Sequence, residues 1–213
     1  MLVDFEMEWK TVLPNVRSIV VIGTANSGKT AFCFSLLNLA RTTFKDRKIF
    51  IYKHPNPHLI EKLGFKNLYN IEQLDRLNNV VVWIDEPQLH WKLYEKRGNE
   101  ILAKILSIAR HRDILLILST NMTQFVTHML EGQVDCWVIK DVDYDSIKQG
   151  SRAKYIIREN CLVDPAFFKL DVDEYLFYCR KFPEYSGKHT FLKPTYFTDK
   201  LSKSYGNCDK KCD

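Results

Sequence analysis

A phosphate-binding pattern, Gly-x-x-x-x-Gly-Lys-Thr, lies near the start of the chain between Gly23 and Thr30. In such a loop, backbone N–H groups surround phosphate oxygens, Lys29 reaches the β- and γ-phosphates, and the Thr30 hydroxyl binds Mg²⁺. A helix predicted to follow would direct its positive end at the same anion. An ordinary glycine-containing turn is the alternative, but the apolar helical stretch 31–41 disfavours it. The predicted nucleotide contacts are Gly23, Thr24, Ala25, Asn26, Ser27, Gly28, Lys29, Thr30 and Ala31.

Two acidic residues, Asp85 and Glu86, follow the most β-rich run of the chain, 80–84. That run is uniformly apolar, as expected of a parallel strand that is buried on both faces. Beside a phosphate-binding loop, Asp85 is expected at the magnesium ion, and Glu86 can polarise the water that attacks the γ-phosphate. The alternative is a solvated strand end. ATP and Mg²⁺ are therefore the predicted cofactors, with Thr30 and Asp85 as metal ligands.

A polar tripeptide, Ser119-Thr120-Asn121, ends the next predicted buried strand. Because parallel strands finish at one edge of a sheet, we expect Asn121 near Lys29 and Asp85. Its amide could sense the γ-phosphate or orient the attacking water. Capping of the following helix is an equally natural role for these residue types.

Two arginines, Arg110 and Arg112, end the helix predicted before that strand. Arginine near a helix C-terminus is favourable for dipole reasons alone. Alternatively, one of them reaches the γ-phosphate of a neighbouring subunit as an arginine finger. We favour Arg110 for this role over Arg112 or Arg152. Lysines and arginines also make this helix basic, and a phosphate backbone or solvent could face it.

The composition fits one α/β domain with a short appendage. The chain has 213 residues, of which 46% are hydrophobic, and a formal charge of +5. No run approaches the roughly 18 apolar residues of a membrane span, and the acidic start does not resemble a signal sequence, so we expect an intracellular protein. Buried thiols are expected at Cys33 and Cys136. Zinc binding at Cys208 and Cys212 is disfavoured because no second ligand pair lies nearby.

Strands and helices alternate along the first part of the chain, which predicts a mainly parallel sheet with helical crossovers. Strands are expected at about 18–23, 48–52, 80–84, 114–118 and 136–139. The main helices are expected at about 29–42, 99–112 and 122–131, with shorter ones near 58–63 and 71–77. A further short strand is predicted at 154–157 and a helix at 171–182. We expect an ATPase core over 1–160, and a C-terminal helix and extended arm over 161–213, packed on the core, with a disordered end.

These motifs in this order resemble the FtsK–HerA superfamily of DNA-pumping ATPases. The similarity spans about 18–158 and is strongest to small genome-packaging ATPases of archaeal and other membrane-containing icosahedral viruses. Zonula-occludens-toxin-like assembly ATPases of filamentous phages are also similar around Asp85-Glu86 and Arg110-His111. One departure concerns the sensor, because relatives commonly carry glutamine where this chain has Asn121. Gln124 is the other candidate.

The resemblance implies a three-layer, RecA-like P-loop NTPase fold with helices on both faces of the sheet. It also implies Mg²⁺-dependent ATP hydrolysis, a homo-oligomeric ring (hexamer or pentamer), and movement of double-stranded DNA into a capsid. Capsid or membrane-vertex proteins are then further partners, and the location is the host cytoplasm or the virion. Other ring ATPases of the superfamily are an alternative. A thymidine-kinase-like nucleoside kinase is another, suggested by Asp-Glu-Pro-Gln at 85–88, although the paired cysteines of such kinases are not matched.

Overall fold

Eight strands form one sheet in the computed structural model, which describes residues 5–91, 96–121, 132–140, 170–198 and 201. The strand order is β3-β2-β4-β5-β1-β6-β7-β8, parallel from β3 through β6 and antiparallel at β7 and β8. The strands are β1 (Ser18–Ile22), β2 (Lys48–Tyr52), β3 (Lys66–Leu68), β4 (Val80–Asp85), β5 (Leu115–Thr120), β6 (Cys136–Ile139), β7 (Glu174–Cys179) and β8 (Gly187–Thr190). The predicted α/β class with a mainly parallel sheet is confirmed.

Helices lie before and between the parallel strands. They are α1 (Phe5–Val12), α2 (Lys29–Thr43), α3 (Pro57–Lys62), α4 (Pro87–His90) and α5 (Lys96–His111). Short 3-10 turns cover Leu13–Asn15, Ile71–Arg76 and Pro183–Tyr185. The turn at Ile71–Arg76 replaces the α-helix expected near 71–77. It begins with a capping box in which the side chains of Asn70 and Gln73 each bond the other's backbone.

Helices cover both faces of the sheet, as the resemblance implied. On β1, Ile19 and Val21 face one hydrophobic cluster, while Val20 and Ile22 face the other. The first cluster contains buried side chains of α1, α2 and α3, among them Trp9, Phe32, Leu36 and Ile60. The second contains the apolar side of α5, namely Leu102, Ile105, Leu106 and Ala109. Each fully buried aliphatic side chain contributes about 1.5–3 kcal/mol, so β1 is fixed from both sides.

The helix predicted at 171–182 was wrong, because the chain forms strand β7 over Glu174–Cys179. This strand pairs antiparallel with β6, placing Cys136 opposite Cys179, and it continues into a hairpin with β8. Tyr175 and Phe177 pack into the cluster that contains α2, whereas Leu176 packs into the opposite one. With apolar side chains on both faces, the strand lacks the polar alternation that would have identified it.

Several expectations lie outside the described residues. They are the helix at 122–131, the strand at 154–157, the boundary at residue 160, and the tail with Cys208 and Cys212. The expected buried thiols are confirmed, since Cys33 and Cys136 are both inaccessible to solvent. Within the described part of the chain, no helix combines the length and hydrophobicity needed to cross a membrane.

Candidate nucleotide-binding site

The phosphate-binding loop connects the end of β1 to the start of α2. Its first amide, Gly23 N–H, donates to Thr120 O at 3.2 Å, and Ser27 N–H donates to Thr24 O at 3.3 Å. Asn26 and Gly28 adopt positive φ angles of 64° and 87°. Glycine and asparagine tolerate this left-handed region better than other residues. The loop therefore turns tightly and leads into the N-terminus of α2, where helical N–H groups favour an anion.

Lys29 lies within the loop rather than extending into solvent. Its side chain is buried, and its Nζ donates to Thr24 O at 2.8 Å. Burial lowers the pKa of Lys29, while the nearby charges of Glu86 and Asp85 oppose that shift. The bond to Thr24 uses one of the three ammonium donors. The charge of Lys29 is thus held between the loop and the two acids predicted to act with it.

Asp85 is buried and bonded at the end of β4. The Ser119 hydroxyl donates to Asp85 Oδ1, and Trp83 Nε1–H donates to Ser119 Oγ at 2.8 Å. Burial raises the pKa of Asp85 to about 7, with Glu86 adding to the rise while Ser119 and Lys29 act against it. The two successive hydrogen bonds, from Trp83 to Ser119 and from Ser119 to Asp85, fix the orientation of the Asp85 carboxylate.

Glu86 has a left-handed backbone, with φ 44° and ψ 59°. Such a conformation costs a non-glycine residue of order 1–3 kcal/mol and often occurs at functional sites. Its Oε2 accepts the backbone N–H of Asn121 at 3.0 Å and a hydrogen bond from the Gln88 amide. Gln88 also bonds Asn121 Oδ1 at 3.2 Å and accepts from the Thr120 hydroxyl at 3.0 Å. Gln88 thereby links the Glu86 carboxylate to the end of β5.

The strand order explains why these groups meet. β5 lies between β1 and β4, pairing Thr120 with Ile22 on one side and Ser119 with Asp85 on the other. The polar end of β5 therefore separates the phosphate-binding loop from the acidic pair while contacting both. Ligands of open α/β sheets bind outside this carboxyl edge. The structure thus brings Asn121 to this edge, where its bonds are to Glu86 and Gln88, whereas the sequence placed it near Lys29 and Asp85.

The donors expected for Mg²⁺ suit that ion. Thr30 supplies a hydroxyl directly after Lys29, and Asp85 supplies a carboxylate whose burial favours an added positive charge. Mg²⁺ usually takes one or two protein oxygens and completes its shell with phosphates and water. No cluster of three or more His, Cys, Asp or Glu residues suited to a metal occurs among the described residues. A Mg²⁺ site with two protein ligands, completed by the phosphates of a nucleotide, agrees with that finding.

Arg110 lies away from these groups. It belongs to the last turn of α5, and its guanidinium donates to Gln133 O. Helix α5 ends where β5 begins, so Arg110 is at the edge of the sheet opposite the phosphate-binding loop. A six-residue strand such as β5 spans about 20 Å. Arg110 therefore does not join the site of its own chain. Arg152 and Gln124 lie outside the described residues.

The site has a second wall that no sequence motif marks. The loop and the first turn of α2 line a cavity of about 300 Å³ whose other side consists of Val172, Lys193 and Phe197. Gly28 lies so close to this wall that a Cβ added there would be 2.6 Å from Val172 O. These residues belong to no motif and lie more than a hundred positions after the loop, so sequence spacing could not identify them.

A buried lysine positions this wall. Lys140 follows β6, is fully inaccessible to solvent, and donates from Nζ to Val172 O at 2.8 Å and to Glu174 O. Its ammonium lies 4.4 Å from the ring centre of Phe191. Burial lowers the pKa of Lys140 to about 7, opposed by Asp173 and Glu174. Lys140 therefore connects the chain before β7 to the strand beside the phosphate-binding loop.

Solved structures share this architecture. The DNA-packaging ATPase B204 from Sulfolobus Turreted Icosahedral Virus aligns with a TM-score of 0.63 and 21% identity, over 84% of this chain and 99% of that one. The genome packaging NTPase B204 from Sulfolobus turreted icosahedral virus 2, in complex with AMPPCP, aligns with a TM-score of 0.60 and 17% identity, over 82% and 97%. EssC (ATPases 2 and 3) from Geobacillus thermodenitrificans aligns with a TM-score of 0.60 and 10% identity, over 87% of this chain and 42% of that one.

No protein-family profile matches the chain, and no curated protein sequence does. The structural likenesses nevertheless define the fold, which is an α/β P-loop NTPase fold with a mainly parallel sheet. The resemblance to viral genome-packaging ATPases inferred from the motifs is confirmed at the level of this fold.

Proposed function

We propose that this protein is a Mg²⁺-dependent ATPase that moves double-stranded DNA, packaging a viral genome into a capsid. The observation that carries the proposal is the convergence of Lys29, Asp85 and Glu86 at one sheet edge, with Asn121 bonded to Glu86. This edge provides a phosphate-binding loop, a buried carboxylate at Asp85, and a second carboxylate at Glu86 that two hydrogen bonds orient. Those are the groups that phosphoryl transfer to water requires.

Each residue has a distinct role in the proposed hydrolysis. The loop N–H groups and the Lys29 ammonium bind the β- and γ-phosphates and stabilise the charge that develops as the terminal bond breaks. Glu86 orients a water molecule towards the γ-phosphate and accepts its proton, which is a typical task of a positioned carboxylate. Asn121 holds Glu86 through its N–H. Thr30 and Asp85 would hold a magnesium ion, which would supply positive charge to offset the phosphate oxygens.

The position of Arg110 supports an oligomer. This arginine lies at the far edge of the sheet from the site of its own chain, so a role as a finger requires the γ-phosphate of another copy. A ring in which the basic end of α5 meets the carboxyl edge of the next subunit would satisfy that requirement. Arg110 is then the arginine finger of a hexameric or pentameric ring.

The structural similarity to packaging ATPases supports the proposed DNA-packaging role. This chain matches nearly the whole length of two B204 proteins that are described as packaging enzymes, and it shares their fold. The formal charge of +5 favours a polyanionic partner. Capsid or membrane-vertex proteins would be further partners, and the protein would act in the host cytoplasm or the virion.

Steady-state hydrolysis with and without double-stranded DNA tests the proposal. We expect Mg²⁺-dependent ATP hydrolysis that DNA accelerates several-fold, in an assembly larger than a monomer by sedimentation with ATP. A monomer whose hydrolysis ignores DNA would contradict the translocase. Transfer of radiolabelled phosphate to a nucleoside, without DNA-stimulated hydrolysis, would instead assign the kinase alternative.

A further inference from the structure

We propose that the segment after β8 forms the nucleoside half of the site, with the Phe197 ring as the surface on which the base of a bound nucleotide stacks. This inference rests on the proposed ATP-binding function. It assigns a role to residues that carry no motif, and it concerns the cavity bounded by Val172, Lys193 and Phe197 on one side and by the start of α2 on the other.

The direction of a bound nucleotide places its nucleoside in this cavity. Lys29 and Thr30 hold the terminal phosphates at the first turn of α2, and the cavity opens beside that same turn, against Thr30 and Ala31. Its volume of about 300 Å³ is at the lower end of the range for small-molecule sites. Asn26, Gly28 and Lys29 of the loop line one part of the cavity and Phe197 lines another, so a nucleotide with its phosphates at the loop would extend its ribose and base towards Phe197.

The charge of the cavity suits a nucleotide. Its described lining includes two lysines, Lys29 and Lys193, and no carboxylate. Lys193 is exposed to solvent, so its ammonium can approach a phosphate without a large desolvation cost. The cavity is therefore cationic where the triphosphate lies and has an aromatic ring, Phe197, in its wall.

The wall is attached to α2 by ring packing and hydrogen bonds. The Phe197 ring packs against the buried ring of Phe34, with centroids 5.9 Å apart. The Ser35 hydroxyl donates to Leu192 O at 2.8 Å, and the Tyr196 hydroxyl donates to Phe34 O at 3.4 Å. The segment is thus attached to the same helix that begins at the phosphate-binding loop.

The wall is also held from the other side of the cavity. Phe191 N–H donates to Asp173 O at 2.9 Å, and the Phe191 ring covers the Lys140 ammonium. Lys140 in turn bonds Val172 O. Preorganised aromatic surfaces bind flat rings without an ordering cost, and a base stacked on an aromatic side chain gains about 1–3 kcal/mol.

Calorimetric titration of the purified full-length protein with ATP and, separately, with inorganic tripolyphosphate tests the inference. Tripolyphosphate presents the phosphates without a base. For Phe197→Leu we expect ATP affinity to fall roughly tenfold, in line with the loss of one stacked base, while tripolyphosphate affinity stays within about twofold. Phe197→Tyr should retain ATP affinity because it keeps the ring.

Phe182→Leu is the matched control. Phe182 is a partly buried aromatic residue that packs on the same hydrophobic cluster, and it does not line the cavity. We expect this variant to bind both ligands as the wild type does. Unchanged ATP affinity in Phe197→Leu, or an equal loss for ATP and tripolyphosphate, would overturn the stacking role. Failure of wild-type protein to bind ATP at all would instead refute the proposed function.

Discussion

Asn121 donates its backbone N–H to Oε2 of Glu86 at 3.0 Å, joining the ends of two neighbouring strands. Because the donor is a backbone group, substitution of the Asn121 side chain leaves it in place. Glu86 is thus oriented by the fold of β5 itself. The second donor to this carboxylate, the amide of Gln88, is a side chain and can be removed by mutation.

We expect Gln88→Ala to lower kcat while leaving KM within about twofold, because it removes a hydrogen bond that orients the Glu86 carboxylate and not one that binds ATP. A hydrogen bond to a charged group contributes about 1.5–3 kcal/mol, which corresponds to roughly a tenfold to hundredfold loss of rate. Steady-state kinetics measure the two constants. Gln73→Ala, which removes the same side chain from a surface turn far from the site, is the control. A Gln88→Ala enzyme with wild-type kcat would show that Asn121 alone suffices.

Gly28→Ala should destabilise the protein by at least about 1–3 kcal/mol and abolish ATP binding. The new Cβ would combine a positive φ of 87° with a distance of 2.6 Å from Val172 O, and neither backbone can yield easily. Chemical denaturation measures the loss. Gly132→Ala is a matched control because a Cβ there meets nothing within 4 Å. Equal stability of the two variants would mean that Val172 does not press on the loop.

Mixing two inactive variants tests whether Arg110 acts between subunits. Arg110→Ala should reduce kcat at least hundredfold with ATP binding preserved, since arginine fingers contribute about 10³–10⁵ to the rate. Lys29→Ala should fail to bind ATP but still carry Arg110. Mixed rings should recover part of the activity, because Arg110 of a Lys29→Ala subunit can act on the ATP bound by a neighbouring Arg110→Ala subunit. Arg112→Ala is the control with the adjacent charge removed. No recovery on mixing would argue against a finger supplied in trans.

Stability should depend on pH through His189 and Glu8, which form a buried pair at 3.1 Å between β8 and α1. Burial lowers the pKa of His189, but the hydrogen bond and charge of Glu8 outweigh it, so the folded pKa lies above the ordinary 6.5. His189 also bonds Tyr185 O and contacts the rings of Tyr175 and Phe177. The resulting stabilisation is complete below pH 6.5 and is lost as the pH rises through the folded pKa. Urea denaturation should show that the stability difference between wild type and His189→Gln shrinks as the pH rises through this range, since Asp85 and Lys140 titrate in both proteins. Parallel curves would contradict it.

The parts of the site that the sequence predicted are contiguous motifs. Lys29 and Thr30 follow a buried strand, and Asp85 and Glu86 end another, so each signal is complete within a few residues. Asn121 could be placed near them because parallel strands end at one edge. The Gln88 bridge could not be predicted, since it depends on β5 lying between β1 and β4.

The rest of the site depends on contacts that are distant in sequence. Phe197 reaches the cavity through packing on Phe34, which is 163 positions earlier in the chain. Lys140 reaches Val172 across the turn into β7. No periodicity marks such contacts. The strand at Glu174–Cys179 was mistaken for a helix for a related reason, because burial on both faces removes the alternation that distinguishes strands.

Displacement of a third strand from double-stranded DNA measures translocation most directly, because a motor that moves along the duplex removes a strand bound in its path. We expect wild-type protein with Mg²⁺ and ATP to displace the third strand. We expect Glu86→Gln, which keeps ATP binding, not to displace it. Displacement that continues in Glu86→Gln, or wild-type protein that hydrolyses ATP on DNA without displacing the strand, would contradict it.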